Sequence, residues 1–155
     1  MKKSIKWFSA LALMMICAMT FTACGSDDDG GSGGSGSTGG AYVGEWVSVT
    51  SYAEDDYYVD VLKLNSNGTG TQTLYHLSEY EAIYEVANFT YSVSGSQITV
   101  KSPGGSFTGN YAMGTYDGSK YLAITVEGKM TTYIEMTSET RSLINAFNPV
   151  PGDVH

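Results

Sequence analysis

Short runs rich in aromatic and β-branched residues, each followed by a turn signal, constrain the fold of this chain more than any other feature. They fill residues 42–136, and the turn signals recur about every 8 to 12 residues. Asn65-Ser66-Asn67-Gly68 and Asp117-Gly118 are the clearest turns, because Asn, Asp and Gly tolerate the positive φ angles of tight hairpins. We therefore expect an all-β fold of about eight strands, in a closed or sandwiched antiparallel sheet.

The second run, Tyr57 to Leu64, shows the two-residue period of a strand. This period divides its side chains between two faces. One face carries Tyr58, Asp60, Leu62 and Leu64, and the other carries Tyr57, Val59, Val61 and Lys63.

Three segments depart from the strand rhythm. Residues 77–87 fit a helical stripe as well as an extended strand, and we favour a short helical or irregular loop followed by a strand from about Val86. Ser138 to Phe147 has apolar residues at helical spacing, and Pro149 prevents continuation, so a short C-terminal helix is predicted. Residues 149–155 are expected to form a frayed tail.

Residues 1–23 have the layout of a secretory signal peptide. Three lysines precede an apolar run from Trp7 to Phe21 of about 15 residues, shorter than the ~18 residues expected of a spanning helix. We therefore expect these residues to be absent from the folded domain. Cys17 lies inside this segment and would be removed with it, so the mature chain could form no internal disulfide.

Phe21-Thr22-Ala23-Cys24 resembles the lipobox of bacterial lipoproteins, in which the cysteine becomes the first mature residue and is acylated. The resemblance implies a membrane anchor at Cys24. Gly25 to Asp29 resembles the acidic signal that exports some lipoproteins to the outer face of the outer membrane. We expect a cell-surface location, with the periplasmic face of that membrane as the alternative. A secreted protein with a free thiol is the other interpretation of Cys24.

Residues 24–40 combine this cysteine and acidic signal with a Gly/Ser tether. Gly30 to Gly40 contains no apolar side chain to bury, and the coil from Gly25 to Gly40 should span on the order of 20 Å. The remaining residues, 41–155, are enough for one domain with its own core.

The charge of the mature chain is strongly negative. Loss of the signal removes three of the eight Lys and Arg residues and none of the 16 acids, so the net charge changes from −8 to about −11. Nucleic acid is excluded as a partner, because phosphate binding needs a basic face. An anionic membrane would also repel this domain, so attachment would depend on acylated Cys24.

A set of strand and turn motifs over residues 41–136 resembles the lipocalin-like domains of bacterial surface lipoproteins. The motifs are Gly44-x-Trp46, Leu62-x-Leu64-Asn65-x-Asn67-Gly68-x-Gly70, Phe89-x-Tyr91-Ser92-Val93-Ser94-Gly95, Ile98-x-Val100 and Leu122-x-Ile124. The resemblance implies an antiparallel up-and-down β-barrel of eight strands with Trp46 plugging its closed end. The resemblance implies the fold rather than a ligand. As a separate hypothesis, we expect a binding role, with a small hydrophobic or glycan-like ligand held in the cavity or at the rim of the barrel.

Aromatic residues supply the candidate ligand-binding side chains. All 12 tyrosines lie in residues 41–155, and such amphipathic rings suit a pocket that binds mixed polar and apolar groups. The predicted pocket lining is Trp46, Phe89, Tyr91, Tyr111 and Tyr133. Ordinary barrel packing is the alternative interpretation of these aromatic residues.

The sequence offers few groups for catalysis, so we predict no enzyme, no cofactor and no metal. A Ser-His-acid arrangement would have to use His76, which leaves a weak hydrolase alternative. The acids of residues 79–85, and those of residues 54–60, match no fixed catalytic or calcium-loop spacing. No Cys and His cluster predicts zinc. The main alternative to ligand binding is a structural, protein-docking or inhibitor lipoprotein with a surface-protein partner.

Overall fold

The structure is a computed structural model that describes residues 40–152. The predicted signal peptide, Cys24 and nearly all of the tether lie outside these residues. Within the described range, no helix combines the length and the apolar character that crossing a bilayer requires.

Eight consecutive strands form a closed antiparallel up-and-down β-barrel, which confirms the predicted fold class. Each strand pairs with the next, and β8 returns to pair with β1. A short helix and a two-residue strand follow. The strands are β1 (Gly44–Ala53), β2 (Asp56–Leu64), β3 (Thr69–Ser78), β4 (Ala82–Ser94), β5 (Gln97–Ser102), β6 (Gly105–Tyr116), β7 (Ser119–Val126), β8 (Lys129–Glu135) and β9 (Val150–Pro151); the helix is α1 (Ser138–Ala146).

The two faces of β2 belong to two different cores, as its alternation predicts. Leu62 and Leu64 point into the barrel, where they form an inner cluster of buried residues. Val59 and Val61 point outward and belong to an outer cluster beneath α1. The inner cluster consists of Trp46, Leu62, Leu64, Leu122 and Tyr133, with Tyr42, Phe89, Tyr91, Tyr111, Met113 and Ile124 packed against it.

The inner cluster fills one end of the barrel, which we call the closed end. Trp46 lies near the start of β1 with only 2% of its surface exposed, and its Nε1 donates to the carbonyl of Tyr42 at 2.8 Å. Tyr91 bonds the β2–β3 turn through its hydroxyl, which lies 2.6 Å from the carbonyl oxygen of Asn65. Gly70 lets the Phe89 ring cross its backbone, because a Cβ there would lie 2.3 Å from the ring.

Helix α1 covers the outer cluster. Ile144 is buried against the outward side chains of β1 and β2. Thr137 caps the helix by accepting from the backbone N–H of Thr140 at 3.1 Å, and Arg141 forms an ion pair with Glu45 of β1. The predicted C-terminal helix is therefore confirmed. It is stabilised by its cap, by the ion pair and by burial of its apolar stripe against the outer face of the sheet.

The prediction of a helical or irregular loop within residues 77–87 is wrong. Strand β3 continues to Ser78, β4 begins at Ala82, and Leu77 pairs with Ala82. A tight turn joins them, since the N–H of Ser78 donates to the carbonyl of Glu81 at 2.7 Å. A helix would have placed Tyr80 on its apolar stripe, but Tyr80 is 94% exposed at the turn. The extended conformation instead buries Leu77 completely.

The prediction of a frayed tail is also wrong for Val150 and Pro151. This strand, β9, pairs in parallel with Ile83 and Tyr84 of β4, and the N–H of Gly152 donates to the carbonyl of Tyr84 at 2.9 Å. The pairing is available because β5 pairs only with the last residues of β4 and leaves its first part with a free edge. Residues 153–155 lie outside the described range.

The barrel has two short strand pairings, β1 with β8 and β4 with β5, and both lie toward the closed end. Strand β1 pairs with β8 only at Trp46↔Glu135 and Val47↔Ile134, and β4 pairs with β5 only over residues 90–94. The two four-stranded halves, β1–β4 and β5–β8, are therefore joined at the closed end and less tightly paired at the other, which we call the open end.

Trp46 should contribute strongly to stability because it fills the closed end. Trp46→Ala is expected to lower the free energy of unfolding by about 3 to 5 kcal/mol, as for other buried aromatic residues. Denaturant unfolding of the variant measures this loss. Tyr80→Ala is the control, and this exposed position should change stability by less than about 0.5 kcal/mol. An equal effect of both variants would contradict the role of Trp46 at the closed end.

Candidate functional site

A cavity of about 380 Å³ lies inside the open end of the barrel. Its volume falls within the range of roughly 300 to 1,000 Å³ that is typical of small-molecule sites. Four neighbouring strands and β8 contribute its lining. The lining residues are Ser48, Thr50, Tyr58, Val59, Asp60, Leu74, Tyr75, His76, Ile83, Tyr84, Glu85 and Thr131.

The cavity exists because the inward face of the sheet changes character along the strands. On β2 the inward side chains run from Leu64 and Leu62, in the inner cluster, to Asp60 and Tyr58 in the cavity. The inward leucines of β2 therefore end halfway along the strand. Smaller and more polar side chains, such as Ser48 of β1, leave space beyond them.

Asp60 lies at the boundary between the inner cluster and the cavity. Its Oδ2 accepts two hydrogen bonds, one from the Tyr133 hydroxyl at 2.8 Å and one from Nε2 of Gln72 at 2.9 Å. Its Oδ1 is buried and has no hydrogen-bond partner in the described part of the chain. A buried polar atom without a partner costs free energy, so this oxygen is an unusual feature of the site.

Burial raises the pKa of the Asp60 carboxyl above its ordinary value, and the hydrogen bonds from Tyr133 and Gln72 only partly offset this effect. Burial also raises the pKa of Tyr133, and the adjacent charge of Asp60 raises it further. Tyr133 therefore keeps its proton and remains a donor to Asp60. The carboxyl is held in place by two strands other than its own, β3 and β8.

His76 lies at the rim of the cavity between two acids. Its Nε2 is 2.8 Å from Oδ1 of Asp56, and its Nδ1 is 3.7 Å from Oε2 of Glu81. The Tyr58 ring stacks on the imidazole with centroids 4.7 Å apart, and Tyr52 packs edge-on against Tyr58 at 5.1 Å. Both ring nitrogens thus face carboxylates, so the imidazole is not oriented to take a proton from a hydroxyl nucleophile.

The predicted ligand-binding residues lie together, but at the closed end. Trp46 and Tyr133 are buried in the inner cluster, and Phe89, Tyr91 and Tyr111 pack against it. They are absent from the lining of the open-end cavity described above. Tyr133 is the one with a link to the cavity, because its hydroxyl supports Asp60.

Sequence analysis missed the residues that line the cavity, Asp60 above all. The sequence does contain a signal for Asp60, because this acid shares a strand face with Leu62 and Leu64. An acid on a face that packs into a core must find polar partners there, which predicts a buried polar site. The lining from β1, β3 and β4 had no such signal. Ser48, Thr50 and Glu85 look like ordinary polar strand residues until the barrel closes.

Two further observations limit the chemistry of the site. In the part of the chain that the structure describes, no three His, Cys, Asp or Glu side chains are grouped so as to hold a metal ion. Comparisons with family profiles, curated proteins and solved structures find no match. The function must therefore be argued from the site itself.

The raised pKa of Asp60 gives the ligand-free protein a pH dependence that can be measured. Because the folded-state pKa lies above the ordinary value of 3.8, Asp60 favours the folded state at low pH and loses this contribution as pH rises through the folded-state pKa. A tenfold difference in proton affinity between the folded and unfolded states corresponds to about 1.4 kcal/mol of stability. We expect the wild type to lose stability relative to Asp60→Asn as pH rises from 4 to 7 in denaturant unfolding.

Tyr133→Phe provides the second arm of this experiment. It removes a hydrogen bond that lowers the pKa of Asp60, so the dependence on pH should become steeper. Parallel pH profiles for the wild type and Asp60→Asn would show that the environment of Asp60 does not differ between the folded and unfolded states.

Proposed function

We propose that this chain is a lipid-anchored, cell-surface, lipocalin-like protein that binds a small ligand in the open end of its barrel. The observation that carries the proposal is the cavity of about 380 Å³ inside the open end. Its apolar walls and convergent polar groups are typical of small-molecule sites. The closed end is filled by Trp46 and its neighbours, so the two ends of the barrel differ in what they can do.

Ligand binding accounts for the site better than hydrolysis does. His76 is engaged by Asp56 and Glu81, and neither of its ring nitrogens faces a hydroxyl group. A Ser-His-acid mechanism needs that hydroxyl contact. The acids and the imidazole instead form a polar rim through which a ligand would pass.

The position of the tether supports an anchored binding protein. The tether enters β1 at the closed end, where the N–H of Val43 donates to the carbonyl of Gly40 at 3.0 Å. The open end with its cavity lies at the opposite end of the barrel. A chain held at acylated Cys24 would therefore present the cavity away from its point of attachment, and the Gly/Ser tether would let it reorient.

A protein-docking lipoprotein without a small ligand is the second candidate. Exposed tyrosines at the open end favour it, because Tyr52, Tyr58 and Tyr80 are 74%, 47% and 94% exposed. Aromatic rings of this kind are enriched in protein interfaces. The two candidates differ in whether the cavity itself is occupied.

Filling the cavity separates these candidates. Thr50→Trp places a large ring in the cavity lining, and Thr108→Trp places the same ring at an exposed position of β6 outside the cavity. Native mass spectrometry of the detergent-solubilised mature protein, taken from its own membranes, should show an added mass in the wild type and in Thr108→Trp but not in Thr50→Trp. Refolding from denaturant should remove that mass. A bare mass in every sample would contradict ligand binding.

The anchor is tested separately. Cys24→Ala is expected to abolish incorporation of a labelled fatty acid into the protein and to leave the chain uncleaved, because both reactions need this cysteine. Labelling of living cells followed by gel analysis measures both effects. Digestion of intact cells by an added protease should remove the wild-type domain, whereas protection from the protease would indicate the periplasmic face.

A further inference from the structure

Among the described residues, one oxygen of the Asp60 carboxyl has no hydrogen-bond partner. Tyr133 and Gln72 both donate to Oδ2, so the two donors that reach this carboxyl meet at the same atom. Oδ1 is buried without a hydrogen bond in the described part of the chain, although Asp60 lines the cavity. Asp60 is part of the cavity lining, so a donor in the cavity that reaches this carboxyl would meet an oxygen that still lacks a hydrogen bond.

In the described part of the chain, Asp60 has no Lys or Arg partner. Within residues 40–152, no lysine or arginine contributes to the cavity lining. Three of these cations are paired elsewhere: Lys63 and Arg141 with Glu45, and Lys120 with Glu135. His76, the basic side chain at the rim, already faces Asp56 and Glu81. A positive charge at Asp60 would therefore have to come from a ligand.

The rest of the lining fits a ligand with a cationic head and an apolar body. Glu85 adds a second carboxyl to the cavity, which increases the negative potential there. Leu74 and Ile83 provide aliphatic walls, and Tyr58 adds apolar surface near the mouth. An ammonium group is attracted to carboxylates, and an apolar body suits the aliphatic walls.

We propose that the ligand is a small organic amine, whose ammonium group donates to Oδ1 of Asp60 while its apolar part lies between Leu74, Ile83 and Tyr58. This inference rests on the proposed function and names its ligand class. The same geometry disfavours fatty acids and phosphate esters, because their charge would face two carboxyls. A neutral sugar would fill the volume but would leave the charge of Asp60 unbalanced.

The amine also offsets the electrostatic cost of the buried carboxyl. Burial makes the ionised form of Asp60 costly, and the described residues give this carboxyl two neutral donors, both at Oδ2. An ammonium group in contact with the carboxyl favours its ionised form. The two charges would then share the buried site as a hydrogen-bonded pair.

Three probes of similar shape and different charge test the ligand class: 2-phenylethylamine, 2-phenylethanol and phenylacetate. Isothermal titration calorimetry with the mature, detergent-solubilised protein, after refolding to remove any bound molecule, measures their affinities. We expect the amine to bind at least tenfold more tightly than the alcohol, and phenylacetate to bind more weakly than both. Equal binding of the alcohol and the amine would overturn the amine assignment and leave ligand binding in the cavity intact.

Asp60→Asn should reduce the affinity for the amine to that for the alcohol, a loss of at least tenfold, while binding of the alcohol shows that the barrel is folded. Asp117→Asn is the matched control, because it removes the same charge from an exposed turn at the closed end and should leave the preference unchanged. If Asp60→Asn does not fold, Glu85→Gln at an exposed cavity position should lower amine affinity about threefold. An unchanged preference in the folded cavity variant would overturn the proposal.

Failure of the proposed function gives a different result. None of the three probes would then bind the wild type, and Thr50→Trp would have no bound mass to displace. Selective amine binding that Thr50→Trp also abolishes would support both the cavity and the ligand class.

Discussion

The hydrogen bond from Tyr133 to Asp60 lies at the boundary between the two parts of the barrel interior, the inner cluster and the cavity. It joins β8 to β2 past the intervening β1, at the level where the inner cluster ends and the cavity begins. On one side lie Trp46 and Leu62, which stabilise the fold by excluding water. On the other side lies the cavity, whose volume is not filled by side chains that could have added to that core. Asp60 therefore marks the level at which the packed core of the barrel ends and the cavity begins.

The cavity lowers the amount of core inside the barrel, and the outside of the sheet offsets this loss. The outward side chains of β1 and β2 are buried beneath α1, so these strands are covered on both faces. The helix is capped by Thr137 and tied to β1 by Arg141 and Glu45. Placing a second core outside the barrel lets the open end of the interior remain unfilled.

Sequence reasoning predicted the barrel well because strand alternation and turn residues are local signals. The faces of β2 and the Asn65–Gly68 turn could be read directly, since each depends on neighbouring residues. Residues 77–87 and β9 were mispredicted for the opposite reason. The pairing of Leu77 with Ala82, and of Val150 with Ile83, depends on which edges the rest of the sheet leaves free. The cavity was not predicted for the same reason. The predicted aromatic residues pack together at the closed end, whereas the cavity is lined by other residues that five strands bring together.

The register of the sheet also determines which end of the barrel can change shape. The ladders that close the cylinder, β1 with β8 and β4 with β5, are both short and both lie toward the closed end. The strand segments around the cavity keep free edges, and β9 covers only part of one of them. Backbone hydrogen bonds between strands resist their separation. Because few such bonds join β1–β4 to β5–β8 at the open end, the two halves can separate more easily there. Side chains at the closed end are fixed by packing in the inner cluster, whereas those around the cavity lie on strand segments with unpaired edges. A cavity at the loosely paired end can therefore change shape without breaking the core that holds the barrel together.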